Sequence, residues 1–252
     1  PAIGATGIQE DTVLTATEKT ADKDIIPWVP ADPTNPDNDK PTTDPDGKPI
    51  VAADYITVVY RVNPDNSGTL KLTYTKEDNT TVDYEGATIA ALVKKDAAFS
   101  TIKPTTTATD PYKFWYWATK GQDGKFTKLA DTHQAAANDE YIARFVKAGD
   151  DITNDDNNDN PLPTDSNLVK ATYKVGTGLK EFVEGQTGSE KKYTEKTVAV
   201  AKNTAEADLP GKPTKANTND DPAKAVTSLK WTAKPAIGAT GIQEDTVLTA
   251  TE

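Results

Sequence analysis

The chain has 252 residues, enough for one large domain or two of ordinary size. Only 35% of residues are apolar, 27% are charged, the net charge is −11 and the pI is about 4.7, which argues against nucleic acid and against anionic membrane surfaces as partners. No apolar run approaches the roughly 20 residues needed to span a bilayer, so no membrane insertion is expected, and the absence of Cys excludes disulfides and thiolate metal sites.

Residues 1–18, PAIGATGIQEDTVLTATE, recur letter for letter as residues 235–252, an internal period of 234 residues. Long, near-identical periods mark arrays in which copy number sets length. Residues 1–18 therefore read as the tail of a preceding repeat. Residues 19–53 are rich in Pro and Asp and read as a linker. Their Ile25, Ile26, Trp28 and Val29 are costly to leave in water, so part of the segment is expected to dock on a neighbour and the rest to run as a stiff extended spacer.

Residues 54–147 form the first module. Tyr55 to Val62 has strand composition. Gly68 opens a second strand, TLKLTYT, and KEDNTT turns the chain into VDYE. In TIAALVKKDAAF (88–99), Ile89, Leu92, Val93 and Phe99 stand at helical spacing, which predicts a helix. The aromatic run Phe114-Trp115-Tyr116-Trp117 follows. Extended, it places Phe114 and Tyr116 on one side and Trp115 and Trp117 on the other, one side core and the other against the helix or the next module. An open aromatic platform for glycan or protein is the alternative. Gln122-Asp123-Gly124-Lys125 is a hairpin turn, and Tyr141, Ala143 and Phe145 alternate in a closing strand.

Residues 148–166 are read as an acidic linker, too polar to cement a large interface, so that the two modules lie end to end. Asp155, Asn157 and Asp159 have the alternate spacing of a calcium loop. The turn Gly and the distant Glu are missing, and a solvated, self-repelling spacer is favoured over a metal site.

Residues 167–252 repeat the scheme. LVKATYKV matches ITVVYRV, Gly178 follows as Gly68 does, a mixed stretch fills the middle, and Trp231 opens a strand. Setting Asp245 against Asn138 brings Leu248 onto Tyr141 and Ala250 onto Ala143. The expected fold is α+β and β-rich: two β-grasp-like modules in tandem, joined by Pro/Asp-rich linkers, each a small mixed sheet crossed by one helix.

No catalytic, cofactor-binding or metal-binding residue is assigned. His133 is the single His and reads as a surface-loop residue. Leu209-Pro210-Gly211-Lys212-Pro213 lacks the Thr-Gly and the apolar tail of a sortase signal and is rejected.

The first strand, the Gly after it, Phe114 to Trp117 with Asn138 to Ala143, and Trp231 with Asp245-Thr246 to Ala250 resemble the internalin-type and mucin-binding-type repeats of bacterial surface proteins. The first unit departs from the pattern, with Asn138-Asp139 where Asp-Thr is expected. The resemblance implies tandem β-grasp modules, extracellular and anchored to a Gram-positive cell wall, with signal and anchor elsewhere in the gene. It implies a monomeric, non-enzymatic adhesin segment whose partners are neighbouring repeats. The expected function is a stalk that projects a distal binding domain. Direct multivalent binding of mucin glycans or host protein is one alternative, and a non-catalytic accessory region of a secreted carbohydrate-active enzyme is another.

Overall fold

The computed structural model describes residues 19–155, 160–186, 188–221 and 225–252. The protein is β-rich. In the first half the strands are β1 (Ile25–Trp28), β2 (Tyr55–Asn63), β3 (Gly68–Thr75), β4 (Thr81–Gly86), β5 (Thr88–Lys94), β6 (Thr105–Ala108), β7 (Lys113–Lys120), β8 (Phe126–Lys128) and β9 (Glu140–Val146). In the second half they are β10 (Leu168–Val175), β11 (Leu179–Glu184), β12 (Lys191–Tyr193), β13 (Glu195–Ala201), β14 (Ala216–Thr218), β15 (Ala225–Val226), β16 (Lys230–Lys234) and β17 (Thr246–Thr251).

The two halves share one topology. The larger sheet runs β1-β5-β2-β9-β7-β8, and its counterpart runs β13-β10-β17-β16. In both, the opening strand pairs antiparallel with the middle strand and parallel with the closing one. Tyr60 lies beside Tyr141 and Val62 beside Ala143, and likewise Tyr173 beside Leu248 and Val175 beside Ala250. These pairings match the alignment of Asp245 on Asn138. The correspondence extends to side chains. The Tyr60 hydroxyl donates to the Ile102 carbonyl at 2.8 Å, and the Tyr173 hydroxyl donates to the Pro210 carbonyl at 2.8 Å. Trp117 meets Tyr60 edge-on at 6.1 Å, and Trp231 meets Tyr173 edge-on at 5.7 Å. A smaller sheet packs in each half, β4-β3-β6 in the first and β12-β11-β14-β15 in the second.

The helix expected over residues 88–99 is a strand. Residues 88–94 form β5, between β1 and β2, and only Phe99–Ile102 makes one helical turn, α1. The physical reason is burial on both faces. Ile89, Ala91 and Val93 point into the main core, while Ala90 and Leu92 pack with Trp28, Tyr55 and Tyr74. A strand covered on both sides loses its alternation and reads as a continuous apolar run. The stretch at 195–201 is the same strand in the second half, β13. Among the described residues no long helix crosses either sheet, and none is long and apolar enough to cross a membrane.

The 19–53 segment is folded onto the first half rather than left in part as an extended spacer. β1 pairs with β5, with Ile26 opposite Leu92. Ala21 N–H donates to the Pro49 carbonyl, the Trp28 indole to the Pro36 carbonyl, and the Arg61 guanidinium to the Pro33 carbonyl. Asp44 is buried and accepts from the Tyr74 hydroxyl at 3.0 Å. Of the apolar residues that made a free spacer costly, Ile26 and Trp28 are buried and Ile25 is half-buried, while Val29 stays exposed.

Candidate functional site

A densely hydrogen-bonded feature outside the two cores is the joint between the halves. It starts on β9, the central strand between β2 and β7. Tyr141, Ala143 and Phe145 face the main core, as their alternation predicts. The opposite face, Ile142, Arg144 and Val146, is also buried, because the chain beyond β9 folds back over it.

Gly149 makes that return with φ of +93°, a conformation that costs glycine little. Its N–H donates to the Ala199 carbonyl at 2.8 Å. The Ala199 N–H donates to the Asp150 carbonyl at 3.0 Å, and the Ile152 N–H to the Thr197 carbonyl at 2.9 Å. Asp151 sits opposite Val198, so residues 149–152 pair with the open edge of β13. This mirrors β1 on β5: in each half the segment preceding the module covers the same edge. Covering it removes the exposed ladder that invites aggregation. Ile152 and Leu162 then close a small apolar cluster with Val146 and Ala199, flanked by Trp115 and Leu168.

The chain next brings Asp155 back to Arg144. Arg144 Nε donates to Asp155 Oδ1 at 2.6 Å and Nη2 donates to Oδ2 at 2.7 Å, a bidentate pair. The Tyr116 hydroxyl donates to Oδ1 at 2.8 Å, Arg144 Nη1 donates to the Asn63 side-chain oxygen, and the guanidinium lies 4.0 Å over the Phe126 ring. The side chains of Arg144 and Asp155 are 7% and 1% exposed. Salt therefore screens this pair little, unlike the exposed surface pairs, which contribute at most about 1 kcal/mol each. Phe126 N–H donates to the Asn154 carbonyl and the Trp115 indole to the Pro161 carbonyl, both at 2.8 Å. On the far side, Lys170 Nζ donates to the Asn160 carbonyl at 2.9 Å. Beside the pair lies an open groove of about 410 Å³ bordered by Asn63, Pro64, Lys120 and Asp150.

Two sequence expectations change here, and one alternative is removed. First, the aromatic run is broken by a bulge between Phe114 and Tyr116. Phe114 and Trp117 therefore share the main core, 6.2 Å apart, while Trp115 and Tyr116 pack together at 4.9 Å on the joint face. The extra residue of a bulge reverses the facing of everything beyond it. Second, Trp115 is half-buried and bonded to the joint, so it offers no open platform. Third, the solvated spacer does not hold at Asp155, whose two carboxylate oxygens are both taken by Arg144. Asn157 and Asp159, the other members of the calcium spacing, lie outside the described residues. Among the described residues no three acidic, His or Cys side chains gather as metal ligands.

His133 belongs to a partly buried cluster rather than a free loop. Its Nε2 is 2.9 Å from Asp139 Oδ2, which also accepts from the Ala136 N–H and the Tyr141 hydroxyl. Burial pushes the Asp139 carboxyl up, but those three hydrogen bonds outweigh it and hold the group below the usual carboxylate range. Burial and the Asp139 bond raise the Tyr141 phenol. The cluster clamps the loop before β9.

Arg144 and Asp155 were missed as a pair. The available signal was rarity: Arg occurs only at 61 and 144, and Arg144 interrupts the apolar strand YIARFV. No protein-family model, curated protein or solved structure matches the chain.

Proposed function

We propose that this chain is a repeat segment of a bacterial cell-surface adhesin, two β-grasp-like modules in tandem acting as a stalk that projects a distal binding domain. Its role is mechanical rather than catalytic, and its place is outside the cell, on a Gram-positive wall. The first half holds one helical turn, Phe99–Ile102, and the second a 3-10 turn, Glu206–Asp208, at the places where a β-grasp would carry its helix. The observation that carries the reading is the joint: the segment leaving one module is buried on that module through Arg144–Asp155 and completes the edge of the next through Ile152. A stalk needs that continuity, because a flexible linker would let the distal end collapse toward the surface. The 234-residue period adds length by copy number. The shared strand order of the two halves supports a tandem arrangement.

Negative-stain electron microscopy of chains carrying one, two and four periods tests this. The expected result is a thin particle whose contour length rises in proportion to the number of periods. Particles that stay compact as periods are added would contradict the stalk.

A further inference from the structure

The strand that completes the second half is present twice in the chain. Residues 12–17, TVLTAT, have the sequence of β17, and the identity extends through 1–18 and 235–252. β17 occupies a berth between two partners. It pairs parallel with β10, from Ala171–Thr246 to Val175–Ala250, and antiparallel with β16, from Lys230–Thr251 to Lys234–Val247. Leu248 and Ala250 are fully buried and Thr246 nearly so. Ahead of the strand, Ile242 is buried and Asp245 Oδ1 accepts from the Lys170 N–H at 2.7 Å. In the first copy Ile8, Asp11, Thr12, Leu14 and Ala16 stand in the same order with the same spacing. Every contact that holds β17 is therefore available from residues 1–18. The equivalent berth of the first half is shaped differently. There Tyr141 packs 4.9 Å from Phe99 and 5.4 Å from Tyr60, a space that a leucine would leave part empty.

We propose that the second half accepts residues 12–17 of another copy of this chain in place of β17, so that copies associate by exchanging one strand. The berth lies inside the sheet, so β17 must leave before its replacement enters. The two strands are chemically identical, and what favours β17 is its tether, with an effective concentration on the order of millimolar. Intact chains at micromolar concentration are therefore monomeric. Exchange becomes competitive where repeats are crowded to comparable local concentrations or where β17 is impaired. Donor strand and berth are different surfaces of one copy, so the contact is heterologous, and one that does not close gives an open chain of copies. This inference rests on the duplicated strand and not on the stalk reading.

The test uses the full chain with Leu248→Asp, which places a carboxylate in the buried position against Tyr173 and disables β17 while Leu14 stays intact. Size-exclusion chromatography with light scattering is expected to show a ladder of species that lengthens with concentration. Leu14→Asp alone should remain a monomer with unchanged melting, and Leu14→Asp/Leu248→Asp should be a monomer with an unfolded second half. A synthetic peptide of residues 1–18, titrated into that double variant, should restore the Trp231 fluorescence saturably. The same peptide should cap the Leu248→Asp ladder. If Leu248→Asp is as monomeric as the double variant at several hundred micromolar, or if the peptide restores nothing, the proposal is wrong.

Discussion

At the scale of single residues, Arg144 and Asp155 fix the segment after β9 onto the first half. Each is buried and each satisfies the other, so removing one leaves an uncompensated charge in a water-poor site. Arg144→Ala should cost about 3–5 kcal/mol in urea denaturation, as should Asp155→Ala. The double variant should cost clearly less than the sum of the two, and the coupling should change little between low and moderate salt. Strict additivity would mean that the two groups do not interact. Asp139 gives a pH signature. Its folded pKa lies below its ordinary value. Its contribution is therefore complete above an ordinary carboxylate pKa of about 3.9 and is lost as pH falls through the lower folded value. Asp139→Asn should lower stability by about 1–3 kcal/mol at neutral pH. The gap from the parent chain should close as the medium is acidified below about pH 4. A gap that widens in acid would give Asp139 the opposite role.

At the scale of elements, the deciding distinction is between the two copies of the 18-residue segment. β17 is the strand whose Leu248 and Ala250 fill the second core. Deleting 235–252 should therefore unfold the second half at micromolar concentration, while deleting 1–18 should leave the melting temperature almost unchanged. Equal losses would show that the strand has been assigned to the wrong copy. Elements were legible in the sequence where one face is buried and the other open. The runs at 55–62, 68–75 and 246–251 alternate in burial, and each is a strand in the expected place; Tyr141, Ala143 and Phe145 marked the strand at 140–146 as well, although both of its faces are buried. The hairpin at Asp123-Gly124 was legible because Gly124 takes φ of +80°. β5 was not, because apolar residues on both its faces imitate a helix. The bulge at Phe114–Tyr116 was not either, since an extra residue in a strand leaves no compositional mark.

At the scale of the whole molecule, composition pointed to separation of the halves and the structure shows them tied. The segment 148–166 is acidic on average, yet Ile152 and Leu162 are buried in it and Asp155 is neutralised by Arg144 on another element. An average over the segment hides three decisive residues, and a contact between distant elements has no local signature. The cluster of Val146, Ile152, Leu162 and Ala199 should hold the halves in one orientation. Because the chain has no Cys, spin labels can be placed cleanly at Thr107→Cys in the first half and Lys180→Cys in the second, both exposed. The pulsed electron-resonance distance distribution between them is the most direct test of the joint. A single narrow distance is expected in the parent chain, broadening when Arg144→Ala and Ile152→Ala are combined. A broad distribution in the parent chain, unchanged by those substitutions, would contradict the account.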